Sequence, residues 1–144
     1  MAQSISTATP TSSFAAITPT VQAVLRIGAG LLFMQHGAQK LFGVLGGMGG
    51  AGASADLFSL MGLAGVLEFF GGLLVVLGLL TRPTAVVLTM LMIAAYFMGH
   101  APQGGFPVEN QGELALLFAL IFAYLASAGP GRWSLDGRLL PRLS

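Results

Sequence analysis

Cysteine is absent from the chain, which excludes disulfides, thiolate nucleophiles and Cys-ligated zinc or iron–sulfur centres. Any redox role therefore needs a bound cofactor. Charge is scarce as well. Charged residues make up 8% of the sequence, against about 25% in soluble domains. With 55% apolar residues over 144 positions, the composition is that of a membrane protein, and a lipid bilayer is the expected surrounding. The net charge is +1 and no basic run occurs, so the chain lacks what neutralises a phosphate backbone and nucleic acid is not an expected partner. Residues 1–20 lack charge altogether, are rich in Ser, Thr and Ala, and contain Pro10 and Pro19. They have neither the basic start of a secretory signal nor the arginines of a transit peptide, and read as a disordered tail.

Long unbroken apolar runs dominate the chain from residue 21 onward. Four are long enough, near 21–44, 57–80, 83–99 and 112–128, to be read as helices crossing about 30 Å of hydrocarbon, the third being short. The runs lack the period-two alternation of a membrane barrel. The expectation is an all-α, integral membrane four-helix bundle over residues 21–129, followed by a tail over 130–144. The loop LGGMGGAGASAD after the first span does not cradle phosphate, because no Gly-Lys-Ser/Thr comes after it. Thr81-Arg82-Pro83 forms a turn, with Pro83 suited to opening a helix. An even number of spans places Arg82, Arg132, Arg138 and Arg142 on the side of both termini, and the positive-inside rule makes that side cytoplasmic. Trp133 falls where an interfacial anchor belongs.

Few ionisable residues remain inside the spans, and each is costly unless turned toward a partner, water or a ligand. On the first helix Arg26, His36 and Lys40 share one broad face. Counting from span ends puts Arg26 near the inner surface and Glu68 near mid-membrane, about level with His36. Lys40, His100, Glu109, Asn110 and Glu113 fall near the outer surface, with Gln35, Gln39, Tyr96 and Gln111 within reach. The expected result is a polar cluster in the outer half of the bundle. Glu68, His36 and Lys40 are the candidates for catalysis, and Arg26, Tyr96, His100, Asn110 and Glu113 for holding a cofactor. Each also has a plainer role open to it: Arg26 snorkelling or capping helix ends, Glu68 neutralising Arg26 or Lys40, Glu113 favouring a helix N-terminus, and Tyr96 packing. No compact metal-ligand spacing is present. Gly28, Gly30, Gly37, Gly62, Gly65, Gly71, Gly72 and Gly78 read as sites of close helix approach.

Several segments together resemble the DoxX family of small four-helix membrane proteins: Arg26-Ile27-Gly28, His36 to Gly43 (HGAQKLFG), Glu68 to Leu73 (EFFGGL), Gly78 to Arg82, Asn110 to Glu113 and Gly129 to Asp136 (GPGRWSLD). The resemblance implies a bacterial or archaeal inner-membrane protein linked to oxidoreductase systems. Archaeal namesakes pass electrons from thiosulfate to quinone with a second subunit that this chain lacks, and actinobacterial relatives are associated with sulfur-transfer and superoxide-handling partners. Three functions are expected, in descending order. The first is a quinone-interacting component of a membrane redox complex, with quinone the expected cofactor and a protein partner or a second copy alongside. A non-enzymatic anchor or assembly subunit comes next. Transport of a small solute or proton ranks lower, because the chain shows no inverted repeat or broken helix.

Overall fold

Helix formation begins earlier than composition predicts. The computed structural model describes residues 13–139 and is all-helical. Helix α1 spans Ser13–Phe42, so residues 13–20 belong to the first helix and not to a tail; residues 1–12 lie outside the described residues. The run of Ser, Thr and Pro reads as coil because these residues are poor helix formers, yet tertiary contacts hold it. The carbonyl of Pro19 accepts from Arg132 N (3.4 Å), Gln22 Nε2 donates to the carbonyl of Gly129 (2.7 Å), and Arg132 Nη1 donates to Thr20 Oγ1 (3.3 Å).

Helix α2 spans Leu60–Leu77, opened by Ser59, whose Oγ accepts from Gly62 N (3.1 Å). Gly78 closes it in the left-handed conformation (φ +64), and Leu79 N reaches back to Leu74 O (3.0 Å). Helix α3 spans Thr81–Ala95 and continues through a π turn, Tyr96–His100, and a short 3₁₀ turn, Ala101–Gln103. The third apolar run therefore extends past Gly99 to Gln103, giving 23 helical residues that are long enough to cross a bilayer. Helix α4, Glu113–Ala128, has 16 residues, about 24 Å at 1.5 Å per residue, so among the described residues three helical runs, and not the four expected, have the length of a full span. A four-residue helix α5, Asp136–Leu139, lies within the expected C-terminal tail, so residues 130–139 are folded against the bundle; residues 140–144 lie outside the described residues.

The chain forms two hairpins, α1 with α2 and α3 with α4, joined chiefly where α2 meets α3. Glycines let α1 and α2 touch backbone to backbone. A Cβ on Gly30 would sit 2.9 Å from Gly72 O, and one on Gly72 3.0 Å from Gly30 O. Gly37 fits against the backbone of Phe69 and Gly65 in the same way. Gly28 departs from this pattern, since no atom lies within 4 Å of where its Cβ would be. The core is apolar and drawn from all four helices, with Phe33, Val75, Leu88, Phe122 and Leu125 almost fully buried. Leu, Val and Met side chains cover the outside, the arrangement expected of helices facing hydrocarbon.

Candidate functional site

Arg26 and Lys40 stand at opposite ends of the α1 face that carries them, and the fold treats them differently. Arg26 is fully buried. Its Nε donates to Pro130 O (2.7 Å), Nη1 to Val75 O and Val76 O (2.6 Å each), and Nη2 to Arg132 O (3.2 Å) and Trp133 O (3.0 Å). All five guanidinium donors therefore meet backbone carbonyls, two of them at the C-terminal end of α2, where carbonyls lack helical partners. Gly78 is required beside it, because a Cβ there would lie 2.7 Å from Nη1. Asp136, also buried, accepts from Leu80 N (2.6 Å) and Thr81 N (2.8 Å) and so caps α3 from a distant point in the chain. Arg82 performs the corresponding service for α4, donating from Nη1 to Ala126 O (3.0 Å) and Ser127 O (2.6 Å). The segment 129–139 is thus a clamp across the helix ends. Arg26 belongs to it and is separated from the other candidate residues, with no donor left for a cofactor.

At the other end a cavity of about 580 Å³ opens between the helices, within the range of small-molecule sites. Its wall is mainly apolar, including Phe33, Met61, Leu91, Met92 and Phe118. His36, Lys40, Glu68, His100 and Gln111 are the polar residues lining it. Of the residues expected to converge by depth, these five do, while Gln35, Gln39, Tyr96, Glu109, Asn110 and Glu113 are not in the cavity wall. Lys40 Nζ donates to Glu68 Oε2 at 2.6 Å, with Glu68 nearly buried and Lys40 about one-fifth exposed. Glu68 accordingly neutralises Lys40, and one ammonium donor out of three is accounted for by it. His36, half-buried, meets the ring of Phe118 edge-on, centroids 6.0 Å apart.

Helix α3 brings His100 to the same cavity through its π turn, a deviation common at functional sites. His100 Nδ1 lies 3.0 Å from the carbonyl of Asn110; the carbonyl can only accept, so Nδ1 bears the hydrogen. In that tautomer Nε2 is the acceptor nitrogen. Tyr96 stacks on His100, centroids 6.5 Å apart, and lies behind it rather than in the cavity wall. Asn110 is buried and occupied within its own loop, Nδ2 donating to Gly104 O and Oδ1 accepting from Gly112 N, both at 2.9 Å. That turn holds Gln111 in the left-handed region (φ +58) and leaves it on the cavity wall. Glu113 stands exposed at the first position of α4, outside the cavity. Glu109, also exposed, accepts from Phe106 N (3.3 Å). Among the described residues no three His, Asp or Glu side chains gather as a metal site would require.

Asp136 is the residue whose part sequence reasoning misses. Its signal is a carboxylate just after a short Gly-Pro turn, which composition alone assigns to a tail. The methionines of the cavity wall are missed too, since Met61, Met92 and Met98 look like any other apolar position in a membrane span.

Comparison with other proteins agrees with the fold. A protein of Haemophilus influenzae without an assigned function is 40% identical over 128 residues, covering 86% of this chain and 94% of its own length. An uncharacterised membrane protein of Mycobacterium tuberculosis is 37% identical over 139 residues, 82% of this chain and 80% of its own length. No solved structure matches the chain. The DoxX family model matches residues 21–101, from α1 through the turn that carries His100. With its helical hairpins, its apolar exterior and bacterial relatives of similar length, the chain belongs to the DoxX family of membrane proteins.

Proposed function

We propose that this protein is the quinone-interacting membrane component of an oxidoreductase system, with the Lys40-end cavity as the quinone site. The observation that carries the reading is an ion pair, Lys40–Glu68, set in the wall of an otherwise apolar cavity of small-molecule size. A quinone ring suits apolar walls such as Phe33 and Phe118, and its carbonyl oxygens need donors. Lys40 has donors beyond the one given to Glu68, and His36 lies one helical turn away on the same wall. Reduction of a quinone to a quinol takes up two electrons and two protons. Glu68 and His36 are the groups that exchange protons with the ring, and His100 links them toward the loop end of the bundle. The chain has no cysteine for a metal cluster, so the electrons come from a redox partner subunit.

Arg82, Arg132 and Arg138 lie at the clamp end, which we assign to the cytoplasmic face of the bacterial inner membrane, with the cavity toward the outer face. A second reading, an anchor for a peripheral partner, is favoured by one observation. Phe58 is fully exposed in the loop leading to α2, and Phe106 and Val108 are largely exposed in the loop before α4.

The test is binding of a quinone analogue to purified protein, with Glu68→Gln as the variant. Wild type is expected to bind and the variant to bind at least about tenfold more weakly, the effect of disturbing one charged hydrogen bond. Wild-type protein that binds no quinone, or binding indifferent to Glu68→Gln, overturns the site. Retention of a co-purifying partner with full activity in the same variant would favour the anchor reading.

A further inference from the structure

The backbones of α1 and α4 stay apart for most of their length and meet through side chains, and along their seam lies a second cavity of about 270 Å³ with a wholly apolar lining. On α1 a single i, i+4 row passes from one cavity to the next: Val24, Gly28 and Leu32 line the seam, and His36 and Lys40 line the polar cavity. On α4, Ile121 and Leu117 line the seam, while Leu114 and Phe118 line both cavities. The two cavities therefore adjoin at Leu114 and Phe118, one following the other along the same pair of helices. Phe33 packs against Phe118 and Phe122, with centroids 5.0 and 4.8 Å away, and forms part of the polar cavity's wall. Val24, Leu32 and Leu117 are exposed and form the outer banks of the seam. Gly28 keeps the seam wide, being a helical glycine with open space where close packing was expected.

We infer that the α1–α4 seam holds the hydrocarbon tail of the ligand whose head group occupies the polar cavity. The inference rests on the quinone reading above and narrows it to quinones with an isoprenoid or alkyl tail. The order of the linings supports it. The polar groups lie at the Lys40 end, and the seam runs from there through the middle of α1 to Val24, close to the clamp end. Lys40 to Val24 is about 24 Å at 1.5 Å per residue, so a long tail would pass the midplane toward the clamp end while its head group stays near the outer surface. Within hydrocarbon the tail gains packing rather than hydrophobic drive, so a filled seam weakens binding through lost contacts and steric exclusion.

The experiment compares two probes on protein in detergent micelles: a naphthoquinone bearing an isoprenoid tail, and the same ring without the tail. Gly28→Leu is the variant. Its new side chain enters open space on a helix face, so thermal unfolding should match wild type or improve on it. Wild type is expected to bind both probes, the tailed one more tightly. Gly28→Leu is expected to weaken the tailed probe at least about fivefold and leave the bare ring within about twofold. If wild type binds both and Gly28→Leu affects neither, or both equally, the seam assignment fails while the polar site stands. If wild type binds neither probe, the site reading fails and takes the seam with it. Added phospholipid that displaces the tailed probe but not the bare ring overturns the assignment in favour of a structural lipid.

Discussion

Arg26 and Lys40 lie on the same helix, about 21 Å apart at 1.5 Å per residue, and both are cations among apolar neighbours. At the clamp end the guanidinium is enclosed by five backbone carbonyl contacts and nothing is left over. At the cavity end the ammonium meets one carboxylate oxygen and keeps a face on open space. The difference comes from geometry and from partners. A planar fork with five donors can tie several chain segments together, whereas an ammonium on a flexible stem paired with a titratable acid stays available to a ligand. One end of the molecule is organised for stability, the other for exchange.

The largest test of this contrast is Arg26→Lys. It keeps the charge but loses the fork, leaving buried carbonyls of α2 and of residues 130–133 without donors. We expect a loss of about 4 kcal/mol, read as a lowered midpoint of thermal unfolding in detergent. The double variant Lys40→Met with Glu68→Met should behave in the opposite way. Replacing a buried pair by apolar side chains of similar length leaves stability within about 1 kcal/mol of wild type, or higher, while quinone binding is lost. If the double variant unfolds as readily as Arg26→Lys, the pair is a structural brace and the contrast collapses. The smallest effect is expected at Thr81→Val. Thr81 Oγ1 is buried and has no hydrogen-bond partner among the described residues. Removing it should change stability by about 0.5 kcal/mol or less, in either direction, when thermal melts are compared.

Legibility in the sequence depends on which forces act locally. The apolar runs near 57–80 and 112–128 announce helices by length alone, and depth counting brings Glu68 level with His36, with Lys40 nearer the outer surface. The Lys40–Glu68 pairing reflects the cost of leaving either unpartnered in hydrocarbon. The remainder depends on contacts between distant segments. Residues 13–20 look like coil until Arg132 and Gly129 are seen against Pro19, Thr20 and Gln22. The α3 extension through Tyr96–His100 has no local period to reveal it, since a π turn shifts the register by one residue. Arg26 looks like a surface snorkeler until its acceptors arrive from residues 130–133. Gly28 and Gly30 are alike as letters, yet one meets empty space and the other meets a neighbouring backbone.

The clamp also bears on how the protein is made. During synthesis α1 and α2 emerge well before Pro130, Arg132 and Trp133, so Arg26 enters the bilayer before three of its five acceptors exist. Until then the guanidinium has the two α2 carbonyls and the headgroups and water of the inner interface, and a ribosome halted near residue 128 would leave it so. Completion of the bundle is thereby tied to translation of the segment beyond α4.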